Sequence, residues 1–142
     1  MSEQNGLPVV NVAAAVICDS KEKTKILATQ RGIGHMKGKW EFPGGIVEKG
    51  ESAEHTLVRE VREELGIKLM VGKYVGTIEK DYDKFHMILK CYYAYIESGN
   101  MILKEHLGAR WLTKDELESV DWVSADATLL EHIKCDMADA QQ

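Results

Sequence analysis

The chain has 142 residues, the length of one ordinary domain, so a single domain spanning residues 1–142 around one buried core is expected. Hydrophobic residues at 44%, charged residues at 29% and only two prolines exclude a disordered chain, a collagen-like repeat and a low-complexity linker. The formal net charge of -5, from 18 basic and 23 acidic side chains, argues against a nucleic-acid polymer as partner, because such surfaces neutralise phosphates with excess lysine and arginine.

The start, Met1 to Gly6, has no basic run, and the apolar stretch from Val12 to Cys18 is far below the ~20 residues a membrane span needs. Neither a secretory leader nor a membrane partner is expected. Cys18, Cys91 and Cys135 are odd in number and far apart, which reads as reduced thiols in a cytoplasmic protein. Val9 to Cys18 is a buried strand ending in a turn at Asp19-Ser20-Lys21, with Lys25 to Gln30 as its hairpin partner. From Arg31 to Gly45, the glycines at 32, 34, 38, 44 and 45 together with Pro43 read as a loop shaped by backbone needs. Ser52 is placed to cap a helix that runs to Leu65, with Ala53, Leu57, Val58, Val61 and Leu65 on its apolar face and Gly66 as terminator. Met70 to Lys80 and Phe85 to Ile96 form a long β-hairpin, Gly99-Asn100 a turn and Ala109 to Leu112 a short strand. Thr113 and Glu116 make a capping box, and a last helix starts near Ser124, with Asp136 to Gln142 fraying. The order specifies an α+β protein, an α/β/α sandwich with helices on both faces of a mixed sheet.

The informative stretch is Arg59-Glu60-Val61-Arg62-Glu63-Glu64-Leu65-Gly66. Glu60, Glu63 and Glu64 stand at i, i+3 and i+4, so their carboxylates share one flank of the helix. Two readings fit that spacing: a solvated face relieved by Arg59 and Arg62, or a cluster for hard divalent cations, which prefer oxygen ligands.

The wider pattern decides between them. Gly45, five residues, Glu51, seven residues, Arg59-Glu60-Val61, one residue, Glu63-Glu64, one residue and Gly66-Ile67 resemble the Nudix box at every fixed position, here residues 45–67. Trp40 to Gly45 before the box, Glu105 after it and Ser124-Ala125-Asp126 near the end resemble the MutT and CTP pyrophosphohydrolase branch of the Nudix hydrolases.

The resemblance implies Mg2+, with Mn2+ as the alternative ion, held by Glu60, Glu63, Glu64 and Glu105 and by the Gly44 or Gly45 carbonyl. It implies that these glutamates are the catalytic set, one of Glu60, Glu64 and Glu105 positioning the attacking water. Glu51 and Arg59 pair to fasten the loop to the helix, and Gly45 permits a strained backbone and a close approach. Family membership implies hydrolysis of a nucleoside diphosphate linked to a further group. In this branch water attacks the β-phosphorus of a nucleoside triphosphate, releasing the monophosphate and pyrophosphate. Arg31 corresponds to a phosphate-contacting arginine or is a solvated one, and Glu105 is a ligand or a plain loop acid. Asp126 reads the base edge or caps a helix, and Tyr82 and Phe85 flank the hairpin turn where a base could stack. An ionised aspartate only accepts hydrogen bonds, so it suits the N4 amino group of cytosine or the N1 and N2 donors of guanine, and it repels O6. CTP or modified cytosine nucleotides are therefore the expected substrates, with 8-oxo-dGTP diphosphatase activity as the alternative. A non-catalytic nucleotide-sensing module is disfavoured because the box carboxylates are intact. The protein is expected to act as a monomer or homodimer.

Overall fold

The computed structural model describes residues 3–4 and 6–139. Its strands are β1 (Glu3–Gln4), β2 (Leu7–Cys18), β3 (Lys25–Gln30), β4 (Trp40–Glu41), β5 (Gly44–Ile46), β6 (Lys68–Asp81), β7 (His86–Ser98) and β8 (Gly108–Thr113). The helices are α1 (Ala53–Leu65), α2 (Ser124–Ala127) and α3 (Leu130–Asp136), with a 3-10 turn at Lys114–Ser119. β2 is the organising strand. It runs parallel to β7 from Val9 opposite His86 to Cys18 opposite Tyr95, and antiparallel to β5 at Val12 to Ala14.

Because side chains alternate along a strand, β2 supplies both cores. Ala13, Ala15 and Ile17 face α1, where Leu57, Val61 and Leu65 are fully buried. Ala14, Val16 and Cys18 face the opposite layer, with Leu129, Leu130 and Ile133. Each buried Leu, Ile or Val contributes roughly 1.5–3 kcal/mol, so the α/β/α sandwich follows from this alternation. The ends of α1 are set locally: the Ser52 hydroxyl accepts from the His55 N–H at 3.1 Å, and Gly66 adopts a left-handed φ of 71°.

Several expectations are adjusted. β3 follows β2 through the expected turn but pairs with it at Cys18 and Ile26, and its full ladder is with β8, from Lys25 opposite Thr113 to Gln30 opposite Gly108. The segment read as one loop holds two short strands, β4 and β5, because β3 and β2 offer it open edges. The hairpin is longer than expected, and the Thr113–Glu116 capping box opens the 3-10 turn. The last helix is two helices, with the Thr128 hydroxyl donating back to the Ala125 carbonyl at 2.6 Å where they part. Fraying does not begin at Asp136: its carboxylate accepts from the Tyr93 hydroxyl at 2.5 Å, and Met137 is buried. Residues 140–142 of that expectation lie outside the described residues. Among the described residues no helix is long and apolar enough to cross a membrane.

Candidate functional site

α1 brings Glu60, Glu63 and Glu64 to one end of the sheet, but they do not converge equally. Glu64 is the most enclosed, with a side chain 14% exposed against 21% for Glu60. Burial, a hydrogen bond shared with Glu60 and the charges of Glu60, Glu41 and Glu105 push its carboxyl well above the ordinary carboxylate range. Glu63 is 62% exposed and lies 3.6 Å from Nη1 of Arg59. Glu105 is on the exposed loop before β8. Among the described residues, no three His, Cys, Asp or Glu side chains already form a ready metal site.

Glu51 and Arg59 form the expected pair. Nε of Arg59 donates to Oε2 at 2.7 Å and Nη2 to Oε1 at 2.9 Å, which holds the Glu51 carboxyl down at about 2. The third nitrogen of the guanidinium, Nη1, donates to Glu60 at 2.7 Å, so Arg59 fixes an acid of the cluster as well as the loop. The glycines before the helix serve different ends. Gly45 is not strained, contrary to expectation: it lies in β5 outside the left-handed region, and its missing side chain leaves space that the Glu60 carboxyl occupies. Gly44 lets β5 press against the backbone of Ala13.

A cleft of about 810 Å³ opens beside these acids. It meets them at Glu41 and Gly45, and its lining includes Arg31, Tyr82, Phe85 and Asp126, the residues expected to hold substrate. Arg31 is not merely solvated: Nε and Nη2 donate to Glu41 Oε1 at 3.1 and 2.5 Å, and Nη1 to the His35 carbonyl at 2.9 Å. Two of its five N–H groups remain for a ligand. Tyr82 and Phe85 stack on each other with centroids 4.9 Å apart, so a base could meet only an outer ring face. Lys80 ties this hairpin to α2 through the Ser124 hydroxyl at 2.5 Å.

Asp126 is not a helix cap, since Val123 holds that position in α2. Its side chain is buried, and Oδ2 accepts from the Phe42 N–H at 2.9 Å. Burial pushes the carboxyl up to about 7, against the pull of that hydrogen bond. Burial thus favours the protonated form of this carboxyl, which can donate as well as accept, over the ionised form, which accepts only.

A NUDIX domain model matches residues 8–133. The chain belongs to the Nudix hydrolase family. This Nudix hydrolase is 35% identical over 126 residues to the CTP pyrophosphohydrolase of Escherichia coli K12, covering 88% of this chain and 91% of that one. It is 34% identical over 122 residues to the putative 8-oxo-dGTP diphosphatase 2 of Mycobacterium tuberculosis H37Rv, covering 81% and 80%. The solution structure of the E. coli ORF135 protein superposes with a TM-score of 0.79 at 32% identity, covering 94% of both chains. The MutT protein of Methanosarcina mazei Go1 shares the fold with a TM-score of 0.80 at 23% identity, over 94% of this chain and 98% of that one. Nudix hydrolases act on nucleotide substrates and generally use divalent metal cations.

Sequence reasoning gave no role to two residues that the Nudix fold brings to this site. Glu41 joins Arg31 and the acids through the pairing of β4 with β3. His106 lies with Nε2 3.7 Å from Oε2 of Glu64. Its signal was present in Lys104-Glu105-His106, where only the acid drew notice.

Proposed function

We propose that this Nudix hydrolase converts nucleoside triphosphates to the monophosphate and pyrophosphate, using Mg2+ or in its place Mn2+, with CTP or modified cytosine nucleotides as preferred substrates. The observation that carries this reading is the crowding of Glu64 by Glu60, Glu41 and Glu105, with Glu41 and Gly45 lining a cleft of about 810 Å³ that has room for a nucleotide. Neighbouring acids that cannot all ionise favour a hard divalent cation, which takes oxygen ligands. Glu60, Glu63, Glu64 and Glu105 with the Gly44 or Gly45 carbonyl would hold it. Bound there, the ion supplies charge neutralisation for the triphosphate and a more acidic water.

The protein's own groups account for the rest. Arg31 keeps its guanidinium fixed on Glu41 and offers its two remaining N–H groups to phosphate oxygens. One of Glu60, Glu64 and Glu105 orients the attacking water and takes its proton as the oxygen closes in line on the β-phosphorus. The base lies in the cleft between the Tyr82–Phe85 pair and Asp126. Ionised Asp126 accepts from N4 of cytosine, and protonated Asp126 offers its hydrogen to O6 of 8-oxoguanine. The position of this carboxyl near 7 is what favours 8-oxo-dGTP hydrolysis as the second reading.

The test is kcat/KM for CTP, 5-methyl-dCTP, UTP, dGTP and 8-oxo-dGTP with Mg2+, at pH 6 and pH 8. The expected result is that cytosine nucleotides lead and UTP is poor at pH 8, and that the CTP to UTP and CTP to 8-oxo-dGTP ratios both rise with pH. UTP cleaved as well as CTP at pH 8 would refute the base assignment.

A further inference from the structure

His106 stands out among the buried polar groups. Its side chain is only 6% exposed, and among the described residues its Nδ1 is buried with no hydrogen-bond partner. A histidine buried for packing alone normally bonds its ring nitrogens, because a lost partner costs ~1–3 kcal/mol. Here the backbone sets the ring in place. The Leu107 N–H donates to the Gln30 carbonyl at 3.0 Å on one side, and on the other the Glu105 carbonyl rests against Gly32 where no side chain would fit. The groups around the ring are Glu64, Glu41, Glu105 and Arg31. Nε2 lies nearest Glu64, 3.7 Å from Oε2.

We propose that His106 is a positioning residue for Glu64, presenting Nε2–H to the carboxyl and restricting it to the orientation that hydrolysis requires. With Glu64 ionised, as the hydrolytic state requires, the alternative tautomer would aim the Nε2 lone pair at the carboxylate oxygens and bury an unpaired Nδ1–H, two unfavourable contacts in place of one favourable one. The contact is longer than a formed hydrogen bond, and such contacts tighten when substrate closes the site. Outer partners that orient active-site ligands typically affect activity 10- to 100-fold. This inference rests on the proposed role of Glu64, and the experiment separates the two.

Two substitutions distinguish the ring nitrogens. His106→Gln keeps an N–H donor at about the reach of Nε2, whereas His106→Asn places its amide near the level of Nδ1, short of Glu64. With the best nucleotide of the panel, His106→Asn is expected to lower kcat about 10- to 100-fold with KM changed less than about 2-fold. His106→Gln is expected to recover to within about 5-fold of the parent. A readout independent of turnover is the pair of ring 15N shifts in the Mg2+-loaded parent, where Glu64 is ionised, expected to show Nε2 protonated and Nδ1 bare, and to move in Glu64→Gln. Equal losses in both His106 variants, a loss confined to KM or to melting temperature, or an Nδ1-protonated ring would each overturn the inference. Near-parental turnover in Glu64→Gln would overturn the proposed function itself. An inactive Glu64→Gln beside a fully active His106→Asn would overturn only the role of His106.

Discussion

Asp126→Asn tests burial and base reading together. In the parent the carboxyl is enclosed and titrates at about 7 instead of its ordinary 3.8. A carboxyl raised in the folded state contributes stability that is fully present below 3.8 and is lost as pH rises through 7. The span corresponds to a ceiling of ~4 kcal/mol. Asparagine is nearly isosteric, keeps an acceptor for the Phe42 N–H, and has no charge to bury. The variant should therefore gain on the parent by about 2–4 kcal/mol between pH 4 and pH 8, the lower figure allowing for relaxation around the charge. Urea unfolding at both pH values measures the gap, provided the m-values agree. In the same variant the CTP to 8-oxo-dGTP ratio of kcat/KM should lose its pH dependence. A stability gap that is the same at pH 4 and pH 8 would refute the reasoning, because the buried charge would then be absent from the balance.

Gly45→Ala should keep the fold but lower kcat about 10- to 100-fold, because the new methyl displaces the Glu60 carboxyl from its place beside Arg59, whereas Gly44→Ala should lower the urea midpoint by pressing on the Ala13 backbone. Melting temperatures and initial rates on both variants check the contrast. Glu51→Gln removes a carboxyl held at about 2 by Arg59, so the parent's advantage in melting temperature should be present above pH 4.5 and shrink as pH falls toward 2, with a smaller effect on rate than Glu64→Gln. His86 is bonded at both ring nitrogens, to Asp81 at 2.5 Å and Glu79 at 2.8 Å, which raises its proton affinity. Its contribution should be full below pH 6.5 and lost as pH climbs past its raised value, so the melting difference between parent and His86→Gln should be larger at pH 6 than at pH 9.

The sequence revealed most clearly what is decided within a few residues. Ser52 and Gly66 bound α1 through contacts inside one helical turn, and the alternation of β2 into two cores is visible in its apolar run. The Glu51–Arg59 pair, eight positions apart across a helix start, was legible because the box fixes its spacing. What depends on distant pairing was not. Asp126 meets the backbone of Phe42 across 84 positions, and that burial, which changes its protonation, has no local sequence signature. Gly45 was assigned to backbone strain and a close approach; the strain is absent, and the group that approaches is the Glu60 carboxyl from a neighbouring element. Glu41 ends β4 and His106 lies in the loop before β8, and they approach Glu64 only after β3 has paired with both strands.

Product analysis with CTP most directly tests the claim that this carboxylate cluster supports pyrophosphate release. The parent and Glu64→Gln would be incubated with CTP and Mg2+ in 18O-labelled water, with and without EDTA, and the phosphorus products resolved by 31P NMR. The account predicts CMP and pyrophosphate from the parent, the label in pyrophosphate, no turnover with EDTA, and at least a ~100-fold loss in Glu64→Gln. Inorganic phosphate as the first product, or turnover that survives both EDTA and the substitution, would contradict it.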